Sequence, residues 1–222
     1  MKFKDFEEEE ALSYQWDTDK VKNIIEDTVL EVRELLSLGN LNITVVPALS
    51  FPWLENHDRS IWTNGFTNSP NCIQIAIPPT PDEDFLKYMI AHELHHASPI
   101  NPIYNLTDET FTLGEWFKME GTAEFFSLSL YKDKRWWKSD FTKTVEKEYW
   151  SKVQDKFAIT DDSEMGKFCF GDLDNGIPYM AGYAFAYEMV KKYVEKHPID
   201  NYEKLYSVGA SDLVDTYSSR II

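Results

Sequence analysis

The stretch Tyr88-Met-Ile-Ala-His92-Glu93-Leu94-His95-His96-Ala97 constrains this chain more than any other. It contains H-E-x-x-H, and that spacing has a use only on an α-helix. A helix turns once every ~3.6 residues, so His92 and His96 stack on one face and can bind one metal ion. Glu93 is rotated by about 100° from His92, so it can reach a metal-bound water without being a ligand. This is the arrangement a zinc hydrolase needs. A His92–His95 pair also shares a face but leaves Glu93 badly placed, so His95 reads as a spare histidine.

The remaining sequence must supply the scaffold and the missing ligand. The 222 residues suit one domain, or one domain with a helical appendage, with enough chain for a real core. Hydrophobic content of 43% and aromatic content of 15% mark a globular chain. A formal net charge of -16 repels phosphate backbones and anionic lipid, so neither nucleic acid nor a membrane surface is an expected partner. The first residues lack the apolar core of a signal peptide, and no run of about 18 apolar residues occurs, which points to the cytoplasm. Cys72 and Cys169 are too few and too far apart for a metal cluster and read as buried free thiols.

In chain order, the acidic run Glu7 to Glu10 reads as a solvated face. The apolar spacing from Val21 to Leu36 predicts a helix over 18–38, capped by Asp17 or Thr18 and ended by Gly39. Leu41 to Val46 predicts a short buried strand. Residues 48–71 read as a long loop, with His57 as a surface histidine. Cys72 to Ile77 alternates, with its three isoleucines on one face, and Pro78, Pro79 and Pro81 follow at once. It is expected to be a strand near or at a sheet edge. Thr80, Pro81 and Glu83 suggest a capped start for the helix that carries His92. A second long helix is expected over 109–131, capped by Thr107 or Asp108. A basic-aromatic link with Arg135, Trp136 and Trp137 follows, then a helix from Asp140 to about 157, with Val145, Tyr149 and Val153 inward. After a loop over 158–177 come a helix from Pro178 to about Glu195 and two short helices. His197 reads as a surface charge at a helix end.

Two histidines do not complete a catalytic zinc site; a third protein ligand is required, with one position left open for water. Glu120 and Glu124, four apart on the second long helix, are the candidates. One carboxylate can bind the metal while the other accepts a hydrogen bond from a metal-bound histidine. Two neighbouring carboxylates in a core would be costly without a cation. Gly121 and Ala123 between them permit close helix approach.

His92-Glu93-Leu94-His95-His96 followed by Glu120-Gly121-Thr122-Ala123-Glu124 resembles the gluzincin pattern of thermolysin-like and aminopeptidase families. With Gly65-Phe-Thr-Asn-Ser-Pro-Asn-Cys-Ile and the following strand, the stretch from about 40 to 190 resembles the YjaZ-like family of predicted Zn-dependent proteases. Two departures are visible. Met119 stands where gluzincins commonly have Asn, and no G-x-M-E-N exopeptidase element is present.

The resemblance implies a zincin-like α+β fold, a small mixed sheet packed against a largely helical body. It implies a single unit over 1–222, with a helical region at 1–40, the sheet and both site helices at 41–131, and a helical subdomain at 132–222. It further implies one Zn2+ per chain held by His92, His96 and Glu120, with Glu124 behind the histidines. Glu93 would act as general base on a zinc-activated water. The oxyanion donor is expected from the helix after Pro178, with Tyr183 favoured over Tyr179 because Gly182 thins the backbone beside it. The strand residues Ile73, Gln74, Ile75 and Ala76 would pair with an extended peptide or protein substrate. The alternative is a zincin-fold module that binds metal or peptide without cleaving; a fourth protein ligand such as His57 would close the site and make the metal structural.

Overall fold

The computed structural model describes residues 16–48, 58–138 and 140–219. The readings made for Glu7 to Glu10 and for His57 lie outside the described residues. Within them the fold is α+β, with one three-stranded sheet and otherwise helical elements. Two compact units are present.

The first unit spans residues 1–98 and 130–133. Helix α1 (Thr18–Arg33) starts at Asp17, whose side chain accepts a hydrogen bond from the Lys20 N–H, and it buries Val21, Ile24, Ile25 and Val32. It ends at Arg33, short of the expected 38. Strands β1 (Asn42–Pro47), β2 (Asn64–Ser69) and β3 (Cys72–Ile77) form a mixed sheet in the order β1-β3-β2. β1 runs parallel to β3, and β2 runs antiparallel to it.

This order corrects two expectations. Residues 48–71 are not wholly loop, because β2 lies within them. β3 is the central strand, not an edge. Its residues Ile73, Gln74, Ile75 and Ala76 are paired with β1 on one side and β2 on the other, so their backbone has no free side to offer a substrate. The prolines after Ile77 stop the strand lengthwise and say nothing about its lateral neighbours. The alternation itself is as expected: Ile73, Ile75 and Ile77 are all buried.

Helix α2 (Glu83–His96) packs against α1, β2 and β3. Its cap is Asp82, not Thr80: the Asp82 carboxylate accepts from the Phe85 N–H, and no helical turn precedes it. Phe85, Leu86, Ile90 and Leu94 supply the buried face.

The second unit spans residues 99–129 and 134–222. It holds α3 (Leu113–Leu130), α4 (Lys143–Val153), α5 (Asp162–Phe170), α6 (Ala181–Lys196) and α7 (Ala210–Ser218). α3 begins at Leu113, with the Thr112 hydroxyl accepting from the Glu115 N–H, so Thr107 and Asp108 belong to the preceding turn. Thr142, not Asp140, caps α4. α5 replaces part of the expected 158–177 loop; Asp161 caps it. α6 starts at Ala181, with Met180 before it in the left-handed region at φ 56°.

Phe117, Tyr149, Val153, Phe185, Met189, Leu213 and Tyr217 belong to one continuous aromatic-rich core. Gly121 on α3 lies against α6: a Cβ there would come within 2.4 Å of the Ala186 carbonyl oxygen. The close helix approach expected from Gly121 is therefore made with α6.

Candidate metal and catalytic site

In the first unit, α2 places both histidines near its C-terminal end. The Nε2 atoms of His92 and His96 face each other at 3.1 Å. That is close to the ~3.3 Å expected between two ligands of a tetrahedral ion bound at ~2.0–2.1 Å. Both imidazoles are buried, and His92 also packs edge-on against Tyr88.

Glu93 projects from the same helix toward β2. The residue is buried, only 4% exposed. The Thr67 hydroxyl donates to Glu93 Oε2 at 2.7 Å, a charge-assisted bond. The same hydroxyl lies 3.0 Å from the Glu93 carbonyl oxygen. Gly65, two residues before Thr67 on the same strand face, leaves the space Glu93 occupies: a Cβ there would lie 2.3 Å from Glu93 Cγ. The β2–β3 ladder slips between Thr67 and Ser69, a bulge immediately beyond the residue that holds the carboxylate.

Thr67 was not singled out in the sequence. The available signal was an isolated Gly inside an alternating polar stretch, which marks close backbone approach.

In the second unit, α3 carries Glu120 and Glu124, and both are buried. Glu124 accepts a hydrogen bond from the Arg135 guanidinium, whose side chain is wholly buried. Arg135 also lies over the Tyr187 ring at 5.0 Å. In the sequence Arg135 was only part of a basic-aromatic link, because a long-range ion pair leaves no periodic trace.

Trp116 stands one turn before Glu120 on α3 and so shares its face. Tyr183 packs edge-on against Trp116, with ring centroids 5.0 Å apart, and near Trp137 at 6.4 Å. Gly182 does not thin the backbone for Tyr183. Its missing Cβ makes room for the Phe168 and Cys169 carbonyls of α5, which would lie 2.6 and 2.5 Å from that carbon. Tyr179 lies before α6, and burial raises its pKa.

His92, His96 and Glu120 each offer one ligand atom, and these atoms all lie within 4.8 Å of one another. Two imidazole nitrogens and one carboxylate oxygen, all from buried side chains, are a donor set that suits zinc and leaves a fourth position to fill. The three residues therefore form a buried group that could hold a metal ion. His95 is fully buried but is not part of that group.

Cys169 is a buried free thiol whose pKa is raised by burial, while Cys72 is half-buried. His197 closes α6 on the surface, its ring 4.7 Å from that of Tyr193. Among the described residues no helix is long and apolar enough to cross a membrane.

A buried His, His and Glu group that could hold a metal ion is the class of site these residues define. The chain belongs to the family described as Predicted Zn-dependent protease (DUF2268), which it matches over residues 21–215. No curated protein and no solved structure matches it.

Proposed function

We propose that this protein is a zinc-dependent peptidase of the gluzincin type on a zincin-like fold. The observation that carries this reading is the convergence of ligand atoms from His92, His96 and Glu120, with the Glu93 carboxylate on the helix that carries the two histidines. The family description agrees with it.

His92, His96 and Glu120 would hold one zinc ion. When bound, zinc supplies Lewis acidity toward the substrate carbonyl and lowers the pKa of a coordinated water. Glu93 accepts a proton from the attacking water and delivers it to the departing amine nitrogen, so the carboxylate ends the cycle as it began. Its side chain is already buried and aimed, which spares the cost of ordering it during the reaction. Glu124, held by Arg135, would back the ligand helix α3 with a fixed charge. Tyr183 is the proposed donor to the developing oxyanion, because it packs on Trp116, one turn from Glu120 on the same face.

An extended peptide would add to β2, which is an outer strand of the described sheet and holds Glu93 through Thr67. The substrate is thus a peptide or protein, and the net charge of -16 is ill-suited to nucleic acid or anionic lipid. The protein is proposed to work in the cytoplasm.

The test is hydrolysis of fluorescein-labelled casein by zinc-loaded protein, against Glu93→Gln. The variant should retain zinc, measured by elemental analysis, and lose at least ~100-fold in rate, the lower range for a general base. Equal rates for the two proteins would refute the mechanism.

A further inference from the structure

The contact between β2 and Glu93 goes beyond the ligand set. We infer that Thr67 is a positioning residue for Glu93, fixing the carboxylate at the place from which it acts; only the role of Glu93 as a base rests on the peptidase reading.

Three observations converge. The Thr67 hydroxyl donates to Glu93 Oε2 at 2.7 Å, a near-optimal length for a hydroxyl–carboxylate bond. Gly65, on the same face of the strand, would drive a Cβ to 2.4 Å from Glu93 Oε1, so the strand accommodates this one position of the carboxylate from a second direction. The bulge between Thr67 and Ser69 then breaks the ladder just past the contact, a device that re-aims side chains beside functional sites.

A glutamate on an α-helix has several staggered conformations open to it. The space vacated at Gly65 and the hydroxyl at Thr67 select one of them. Val in place of Thr keeps the β-branched shape and strand propensity but removes the donor. Ser keeps the donor and drops the methyl. The pair separates shape from hydrogen bonding.

The experiment compares zinc-loaded wild type, Thr67→Val and Thr67→Ser by crystal structure and by casein hydrolysis, with zinc content measured for each. In Thr67→Val the Glu93 carboxylate should leave its position or split into more than one conformer, with His92 and His96 unmoved. Its kcat should fall about 10- to 100-fold, with KM nearly unchanged, as a displacement of about 1 Å warrants. Thr67→Ser should restore both. If Thr67→Val does not fold, Thr67→Ala is measured in its place.

A Glu93 carboxylate that stays in place without the Thr67 hydroxyl overturns the inference. So does a Thr67→Ser variant as displaced as Thr67→Val. If wild type cleaves no casein yet Glu93 moves in Thr67→Val, the peptidase reading fails and the positioning role stands. If wild type cleaves casein, Glu93→Gln does not, and Thr67→Val equals wild type with Glu93 unmoved, the positioning role fails alone.

Discussion

Arg135 and Glu124 form an ion pair with both side chains out of solvent, 0% and 1% exposed. Removing one member of such a pair leaves the other as a buried charge deprived of that partner. Arg135→Met should therefore destabilise the protein by about 3–5 kcal/mol. Guanidinium chloride unfolding reads this directly. Arg135→Met combined with Glu124→Leu should recover much of the loss, since two apolar side chains no longer strand a charge. A double variant worse than the single by the full cost of a second substitution would argue against a coupled pair.

The proposed ligand set predicts how zinc responds to substitution. Glu120→Ala should lower zinc occupancy more than Glu124→Ala does, as measured by elemental analysis after equilibration with limiting zinc. The reverse order would exchange the roles of the two carboxylates. Zinc at 100 times its Kd should stabilise the native state by about 2.7 kcal/mol, because only the folded chain assembles the site. Chelation should lower the melting temperature in wild type and leave it unchanged in His96→Ala.

Gly121 and Ala186 set how closely α3 approaches α6. A Cβ at Gly121 would meet backbone, at 2.4 Å from the Ala186 oxygen and 2.7 Å from its carbonyl carbon. Backbone cannot rotate away as a side chain can, so Gly121→Ala must push the helices apart. A loss of about 1–3 kcal/mol is expected from overpacking, visible in the denaturation midpoint. Retention of wild-type stability would mean the helices have slack that the contact distances do not suggest.

Glu146 supplies a pH dependence. Its Oε1 accepts from Lys192 Nζ and from the Tyr217 hydroxyl, each at 2.5 Å, and its Oε2 lies 3.3 Å from Lys143 Nζ. Burial alone raises its pKa, but the hydrogen bonds from Lys192 and Tyr217 and the lysine charge outweigh it, and the net direction is down. The folded protein therefore binds this proton less readily than the unfolded chain. The stabilisation is complete above the unfolded carboxylate pKa and is lost as pH falls through the lowered folded value. Unfolding free energies of wild type and Glu146→Gln, measured from about pH 7 to about pH 3 across the carboxylate range, should converge on acidification. A gap that widens toward low pH would reverse the sign of the argument.

The residues that were legible in the sequence are those whose partners lie within a few turns. His92, Glu93 and His96 share one helix, and Glu120 with Glu124 repeats the same spacing on another. What escaped was sideways information. Asn64-Gly-Phe-Thr-Asn-Ser69 has weak strand propensity, and its pairing is supplied by β3. The central position of β3 was hidden for the same reason, since prolines at a strand's end do not reveal its flanks. Caps moved by about two residues where several candidates stood together: Asp82 over Thr80, Thr142 over Asp140. The α5 segment contains Gly166 and is short, so its helical pattern is weak in the sequence.

The bond from Thr67 to Glu93 joins residues 26 positions apart. The two histidines, by contrast, meet as soon as α2 forms. The histidine half of the proposed site is thus local, while Glu93, the proposed base, is in place only when the β2–β3 hairpin docks on α2. Any local opening of that hairpin would leave a helix with its histidines aligned and its carboxylate unanchored. Metal affinity and turnover would then decline at different temperatures, and the interval between them would measure how tightly one hairpin is held.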